Sequence, residues 1–141
     1  MKLEDLKSIG FEEVGYWELH EGPRSRINFA LNKMQNERTI YAFCVDGEPK
    51  YVGICQEDHT SLKNRMKRYK YMAGSGTNKR IAELILKSLM EKQAIAIYAL
   101  KPTEELKFHG IEIDLVKGLE YPLISRLNNH SSWNRMASGR S

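Results

Sequence analysis

Cysteine is scarce in this chain: Cys44 and Cys55 are the only two in 141 residues, and both fall in or beside one short segment. The length suffices to bury a core without disulfide or metal staples. Two such thiols are expected to be free, in a reducing compartment, with the cytoplasm as the default. Long apolar runs are missing as well. No stretch approaches the roughly 18 residues of a membrane span, which excludes a membrane partner. "MKLEDLKSIG" is an amphipathic start, not a charged segment followed by an apolar one, so no signal peptide is expected. Internal repeats and low-complexity linkers are also absent, and one domain is the expectation. What remains, 41% hydrophobic and 28% charged, is the composition of an ordinary soluble globular domain.

The net charge of +4 and pI of about 9.0 are mild, and their distribution says more. "LKNRMKRYKYM", residues 62–72, holds five cations and two tyrosines with no acid; "NKR" at 78–80 and "WNRMASGRS" at the end add more. Basic side chains interleaved with tyrosines suit a phosphate backbone with stackable bases, which makes Lys63, Lys67, Arg68, Lys79 and Arg80 candidate nucleic-acid contacts. A solvated helix face explains the same charges equally well.

Along the chain, residues 3–9 predict a short helix stopped by Gly10, then a strand through "FEEVGYWELH", a turn at "EGP" and a second strand around Ile27 and Phe29. "TIYAFCVDGEPKYVGIC", residues 39–55, predicts a hairpin turned at "DGEP". Leu62, Met66, Tyr69 and Ala73 mark the buried face of a helix at about 60–72. "GSGT" breaks the chain, and Thr77 or Asn78 caps a second helix to about residue 91, with the stripe Ile81, Leu84, Ile85 and Leu89. "AIAIYAL" is a strand, and a helix around 112–128 carries Val116, Leu119, Leu123 and Leu127. The order from residue 39 is therefore β-β-α-α-β-α. Lys79 and Arg80 fall in the first turn of their helix, the wrong end for cations unless they face a bound anion.

Three features break these patterns. Arg65 lies on or at the edge of the Leu62–Met66–Tyr69 stripe, where it can snorkel to water. Glu120 stands one turn from Val116 and one from Ile124, on an apolar face. A carboxylate there needs a cation, since burying it unpaired costs several kcal/mol. That cation is a structural partner such as Arg65, or a metal. Tyr41 and Tyr51 are the third feature. They share a sheet face only if the connecting loop has an odd number of residues, for example 46–50 with Val45 opposite Tyr51; an even loop, 46–49, sends them to opposite faces. Both are otherwise ordinary strand aromatics.

Together these residues resemble the GIY-YIG nuclease superfamily. Its two strand motifs correspond to "TIY" at 39–41 and "YVG" at 51–53, its helical arginine and following tyrosine to Arg65 and Tyr69 in "NRMKRY", its metal-binding glutamate to Glu120 in "LEYPLI", and its closing asparagine to Asn134 in "WN". The match in order and spacing spans residues 39–134. Thr39 stands where the family usually has glycine, Val52 replaces isoleucine, and Pro122 follows the glutamate closely. A further resemblance is to small bacterial proteins of the superfamily that begin with a segment like "GFEEVGYWEL".

The resemblance implies an α+β fold around a small, mainly antiparallel three-stranded sheet flanked by helices. It divides the chain into an extension at 1–38 packed on the core, a nuclease domain at 39–136 and a flexible tail at 137–141. It implies hydrolysis of DNA phosphodiesters with one divalent ion per site, Mg2+ or Mn2+, held by Glu120. Arg65 would stabilise the phosphate and Tyr41 would act as general base, its phenol ionising more easily beside the two cations. Tyr51 and Tyr69 would position water or phosphate, and Asn134 would hold the site in shape. A cut through both strands requires two active sites, hence a homodimer or sequential nicking. The competing expectation is a domain that kept the fold and binds nucleic acid without cutting it.

Overall fold

The computed structural model describes residues 1–127 and 130–135. Every element expected from the pattern is present, and a small hairpin is added. The order is α1 (Leu3–Ile9), β1 (Glu12–Leu19), β2 (Ile27–Leu31), β3 (Ile40–Val45), β4 (Glu48–Ile54), α2 (Leu62–Lys70), α3 (Gly76–Met90), β5 (Ile95–Leu100), β6 (Lys107–Phe108), β7 (Ile111–Glu112) and α4 (Leu115–Leu127). Among the described residues no helix is long and apolar enough to cross a membrane. The expected tail at 137–141 lies outside the described residues.

The main sheet runs β2-β1-β5-β3-β4, antiparallel throughout. The three strands expected from residue 39 onward, β3, β4 and β5, form one side of it. The extension supplies two more, because β1 pairs with β5 and β2 with β1. Residues 1–38 therefore continue the same sheet.

All six residues of β3 are buried, so this strand has no solvent face. Its alternating side chains enter two separate cores. Tyr41, Phe43 and Val45 join Leu62, Met66, Tyr69, Ile81 and Ile85 beneath α2 and α3. Ile40, Ala42 and Cys44 join Leu6, Phe11, Val116, Leu123 and Leu127 beneath α1 and α4. One sheet with helices on both faces accounts for the apolar run "IYAFCV", which shows no alternation.

The hairpin solves the parity problem in a way the sequence did not announce. Its loop is the two residues Asp46 and Gly47, both at positive φ (49° and 81°), as a two-residue turn of type I′ requires. Val45 pairs with Glu48, not with Tyr51, and the loop is even. A bulge then absorbs one residue: Cys44 pairs with Pro49, but Phe43 pairs with Tyr51. Lys50 is the extra residue, and the shift returns Tyr51 to the face of Tyr41.

Two helix ends also differ from expectation. α2 stops at Lys70, so Ala73 lies beyond it and is exposed. α3 is capped by Ser75, whose hydroxyl accepts from the Asn78 N–H at 3.4 Å, and not by Thr77 or Asn78. Lys79 is consequently the last residue of the first turn, and Arg80 opens the second.

Candidate active site

Tyr41 pairs across the hairpin with Gly53, and the small residue is required there. A Cβ on Gly53 would stand 2.6 Å from both Cζ and Oη of Tyr41, closer than any real contact. The missing side chain lets the Tyr41 ring lie over the strand, aimed toward α2. Tyr69, buried on the last turn of α2, meets it there, and the Tyr41 and Tyr69 hydroxyls are 2.6 Å apart. Tyr51 joins from β4, its hydroxyl 3.2 Å from that of Tyr69. The three rings and Phe43 pack with centroids between 5.6 and 6.5 Å, mostly tilted or edge-on.

Arg65, one turn before Tyr69, closes this cluster. Its Nε donates to the Tyr41 hydroxyl at 3.2 Å, and its Nη2 donates to the Tyr69 hydroxyl at 3.0 Å and to Asn78 Oδ1 at 3.5 Å. The ion pair with Glu120 considered from the sequence is not among its contacts, and the half-buried side chain turns its head onto the two phenols and Asn78. Burial opposes the charge on Arg65, and the two phenols outweigh that effect, so the guanidinium stays cationic. Asn78, which the sequence offered as a cap, is nearly inaccessible and a structural partner of the cluster. Its Nδ2 donates to the Ala73 carbonyl at 2.6 Å, which fixes its oxygen toward Arg65. An asparagine inside a helix, with low propensity for that position, was the available hint.

The phenols do not behave as expected beside a cation. Burial pushes Tyr41, Tyr51 and Tyr69 well above the ordinary phenol range, and the pull of Arg65 is smaller. The resting cluster is therefore three neutral phenols around one guanidinium.

Beside it lies an open cavity of about 590 Å3, bounded by Tyr51, Gly76, Thr77, Arg80, Glu120, Tyr121, Ile124, Asn134 and Arg135. β4 is an edge strand, so the N-terminus of α3 on one sheet face and the middle of α4 on the other can both reach this opening. Of the expected site residues it gathers Tyr51, Glu120, Asn134 and Arg80. Tyr41 and Tyr69 are fully buried behind Tyr51, and with Arg65 they are not among its lining residues. Tyr41, Tyr51, Tyr69, Arg65 and Glu120 thus form two connected layers, with Tyr51 as the shared wall, and not one concave surface.

Asn134 holds the opening. Its Oδ1 accepts from Val52 N and its Nδ2 donates to Val52 O, both at 2.8 Å, as a neighbouring strand would. Trp133 N donates to the carbonyl of the bulge residue Lys50 at 2.7 Å. Residues 132–134 thereby cover the exposed edge of β4. Arg80 Nη1 donates to the Trp133 carbonyl at 2.9 Å. Burial and the nearby Arg135 both disfavour the Arg80 charge, so two cations crowd one side of the cavity. The sequence offered Arg135 only as part of a basic tail. Lys63, Lys67, Arg68 and Lys79 are exposed and do not line the cavity.

Among the described residues no group of three His, Cys, Asp or Glu could form a metal cage. Glu120 is a half-buried carboxylate on an open, polar cavity. That donor set suits a magnesium-type ion, which keeps several waters and takes one or two carboxylates plus substrate phosphate.

No family model matches this chain, and no curated protein does. Solved structures do. A mutant of bacteriophage T4 EndoII superposes with a TM-score of 0.65 at 17% identity, over 91% of this chain and 95% of its own. Restriction endonuclease HPY188I, solved in complex with product DNA, superposes with a TM-score of 0.51 at 17% identity, over 99% of this chain and 85% of its own. At such identity the likeness is one of fold: the five-stranded sheet with its helices is the arrangement these two structures share.

Proposed function

We propose that this protein is a DNA endonuclease of the GIY-YIG type that hydrolyses phosphodiester bonds with a divalent ion. The observation that carries the reading is the Tyr41–Tyr69–Tyr51 hydroxyl chain, gripped by Arg65 and ending at the wall of the cavity that holds Glu120. A hydroxyl chain and a buried cation are costly to place in a core, and nothing in the packing requires them.

In this reading the DNA phosphate enters the cavity between Glu120 and the N-terminus of α3. Arg80 and Arg135 attract it, and the helix N-terminus presents backbone N–H groups. Glu120 would hold Mg2+ or Mn2+, which when bound supplies Lewis acidity toward a phosphoryl oxygen and positive charge beside the phenols. Tyr51 orients the attacking water at the wall. Arg65 stabilises a phenolate at Tyr41 or Tyr69, the two phenols to which it donates; once the chain has lost one proton to solvent it can take one from that water, and the phenols become neutral as hydroxide forms at the phosphate. Tyr41 remains the candidate general base, acting through the chain and not by touching the water. Asn134 positions Tyr51 through Val52. The DNA in the HPY188I structure supports the same substrate here. Cutting both strands would require two copies or two successive nicks.

One observation favours a second reading, a domain that binds DNA without cutting it: all three phenols are held neutral at rest. Plasmid DNA incubated with Mg2+, and in parallel with EDTA, separates the two. Glu120→Gln keeps the size of the side chain and removes its charge. Loss of at least a hundredfold in cleavage with DNA binding retained is expected. Wild-type cleavage by this variant would remove Glu120 from the mechanism, and binding without cleavage by the wild type would favour the second reading.

A further inference from the structure

A second cationic hollow lies outside the cavity, in the turn between β1 and β2. It has a volume of about 180 Å3 and is lined by His20, Gly22, Pro23, Arg24, Ser25, Lys70 and Tyr71, with no carboxylate among them. Its loop is held in shape by hydrogen bonds: His20 N donates to the Arg26 carbonyl at 2.8 Å, the Ser25 hydroxyl donates to the Ile27 carbonyl at 2.9 Å, and Ile27 N donates to the Ser25 hydroxyl at 3.2 Å. Arg24 and Lys70 both sit over the half-exposed Tyr71 ring, 5.6 and 5.2 Å from its centroid. Lys70 is tethered by Asn28 Oδ1 at 2.9 Å. Two cations drawn to one ring repel each other, and no carboxylate lines the hollow to offset them, since Glu21 in the same turn is exposed and not part of its lining. The arrangement suits an anion of about phosphate size.

The hollow also lies within reach of DNA bound at the cavity. Tyr71 borders the hollow and Gly76 borders the cavity. Five chain steps separate them, so their Cα atoms are at most ~18 Å apart. One strand of B-DNA carries a phosphate about every 3.4 Å of axis, so at most about five phosphates span that distance. The exposed Arg68 and Lys67 lie on the helix that ends at the hollow.

We propose that the β1–β2 turn forms a second phosphate site, which grips the DNA backbone within about half a helical turn of the phosphate in the cavity. It rests on the DNA-binding part of the proposed function. The N-terminal extension thereby contributes to DNA binding, since it carries Arg24 and, through Asn28, fixes Lys70.

The proposal is tested by equilibrium binding to a 30-base-pair duplex across salt concentrations, without divalent ions so that no cleavage occurs. Arg24→Ala is expected to weaken binding several-fold and to lower the log–log salt slope by about 0.9, the value of one phosphate contact. Arg24→Lys should restore the slope, and Tyr71→Phe, which keeps the ring, should leave it unchanged. A neutral methylphosphonate moved along the duplex should, at one position within about five phosphates of the cut, make wild type and Arg24→Ala bind alike. If the wild type binds duplex but Arg24→Ala has the wild-type slope and affinity, the second site is wrong and the proposed function stands. If the wild type binds no duplex at any salt, both fall together.

Discussion

At the residue scale the site depends on one missing side chain. Gly53→Ala would drive a methyl group into the Tyr41 ring, which is fully buried and has no room to retreat. Overpacking of this kind costs about 1–3 kcal/mol, and here it would also move the Tyr41 hydroxyl off Arg65 and Tyr69. The expected result is a lower melting temperature and a cleavage loss of at least about tenfold, larger than the stability loss explains; unaltered cleavage would show that the phenol chain is not needed.

Burial raises the Tyr41, Tyr51 and Tyr69 phenols, so the folded protein holds their protons above pH ~10 while the unfolded chain releases them. Their contribution to stability is complete below pH ~10 and is lost as the pH rises toward the folded values, by up to ~1.4 kcal/mol per pH unit for each phenol. Tyr41→Phe should therefore flatten the fall in stability between pH 10 and 11 by up to that amount, measured by denaturant unfolding. Equal slopes would mean that Tyr41 titrates normally. Tyr41, Arg65 and Tyr69 were visible in the sequence through the ordered motifs that resemble the GIY-YIG superfamily, and the helix period placed Arg65 beside Tyr69. The sequence left their ionisation hidden, because that depends on how deeply the sheet and helices close over them.

At the element scale the hairpin shows where legibility ended. Chain order and the position of the turn followed from "DGEP", yet counting loop residues could not foresee the bulge at Lys50 that puts Tyr51 on the right face. Bulges arise from pairing partners on both sides of a strand, which no local pattern encodes. The bulge carbonyl also receives Trp133, and Asn134 grips Val52 two residues on, so the edge of β4 and the C-terminal segment define each other. Asn134→Ala removes two hydrogen bonds, worth about 1–3 kcal/mol together, and leaves the edge to water. Faster amide exchange at Val52 is expected, with weaker cleavage and an intact sheet, since the four other strands do not rely on this edge. Unchanged exchange at Val52 would mean that this clasp does not hold the edge in solution. The sequence pattern marks no element between residue 100 and a helix around 112; residues 107–112 form β6 and β7, whose two-residue strands are too short for a period to register.

For the whole molecule the proposed function raises the question of how positive charge would be shared between holding DNA and cutting it. The sequence grouped Lys79 and Arg80 as neighbours in one turn facing one anion. The fold separates them. Arg80 is a wall of the cavity, bonded to the Trp133 carbonyl and crowded by Arg135, while Lys79 is exposed and outside it. A phosphate in the cavity would relieve the repulsion between the two arginines, so Arg80 gains most from the reacting phosphate itself. Lys79 can touch only the backbone that passes outside. Each substitution to alanine should lower the log–log salt slope by about 0.9, and the double variant by nearly two units, equally for all DNA sequences. The two should part in cleavage. At saturating DNA, Lys79→Ala should cut at the wild-type rate, since the cavity is untouched. Arg80→Ala should cut at least about tenfold more slowly, having lost a charge that faces the scissile phosphate. Slope and rate measured on one plasmid substrate decide this, and an Arg80→Ala protein that matches the wild type in both would move the reacting phosphate out of the cavity.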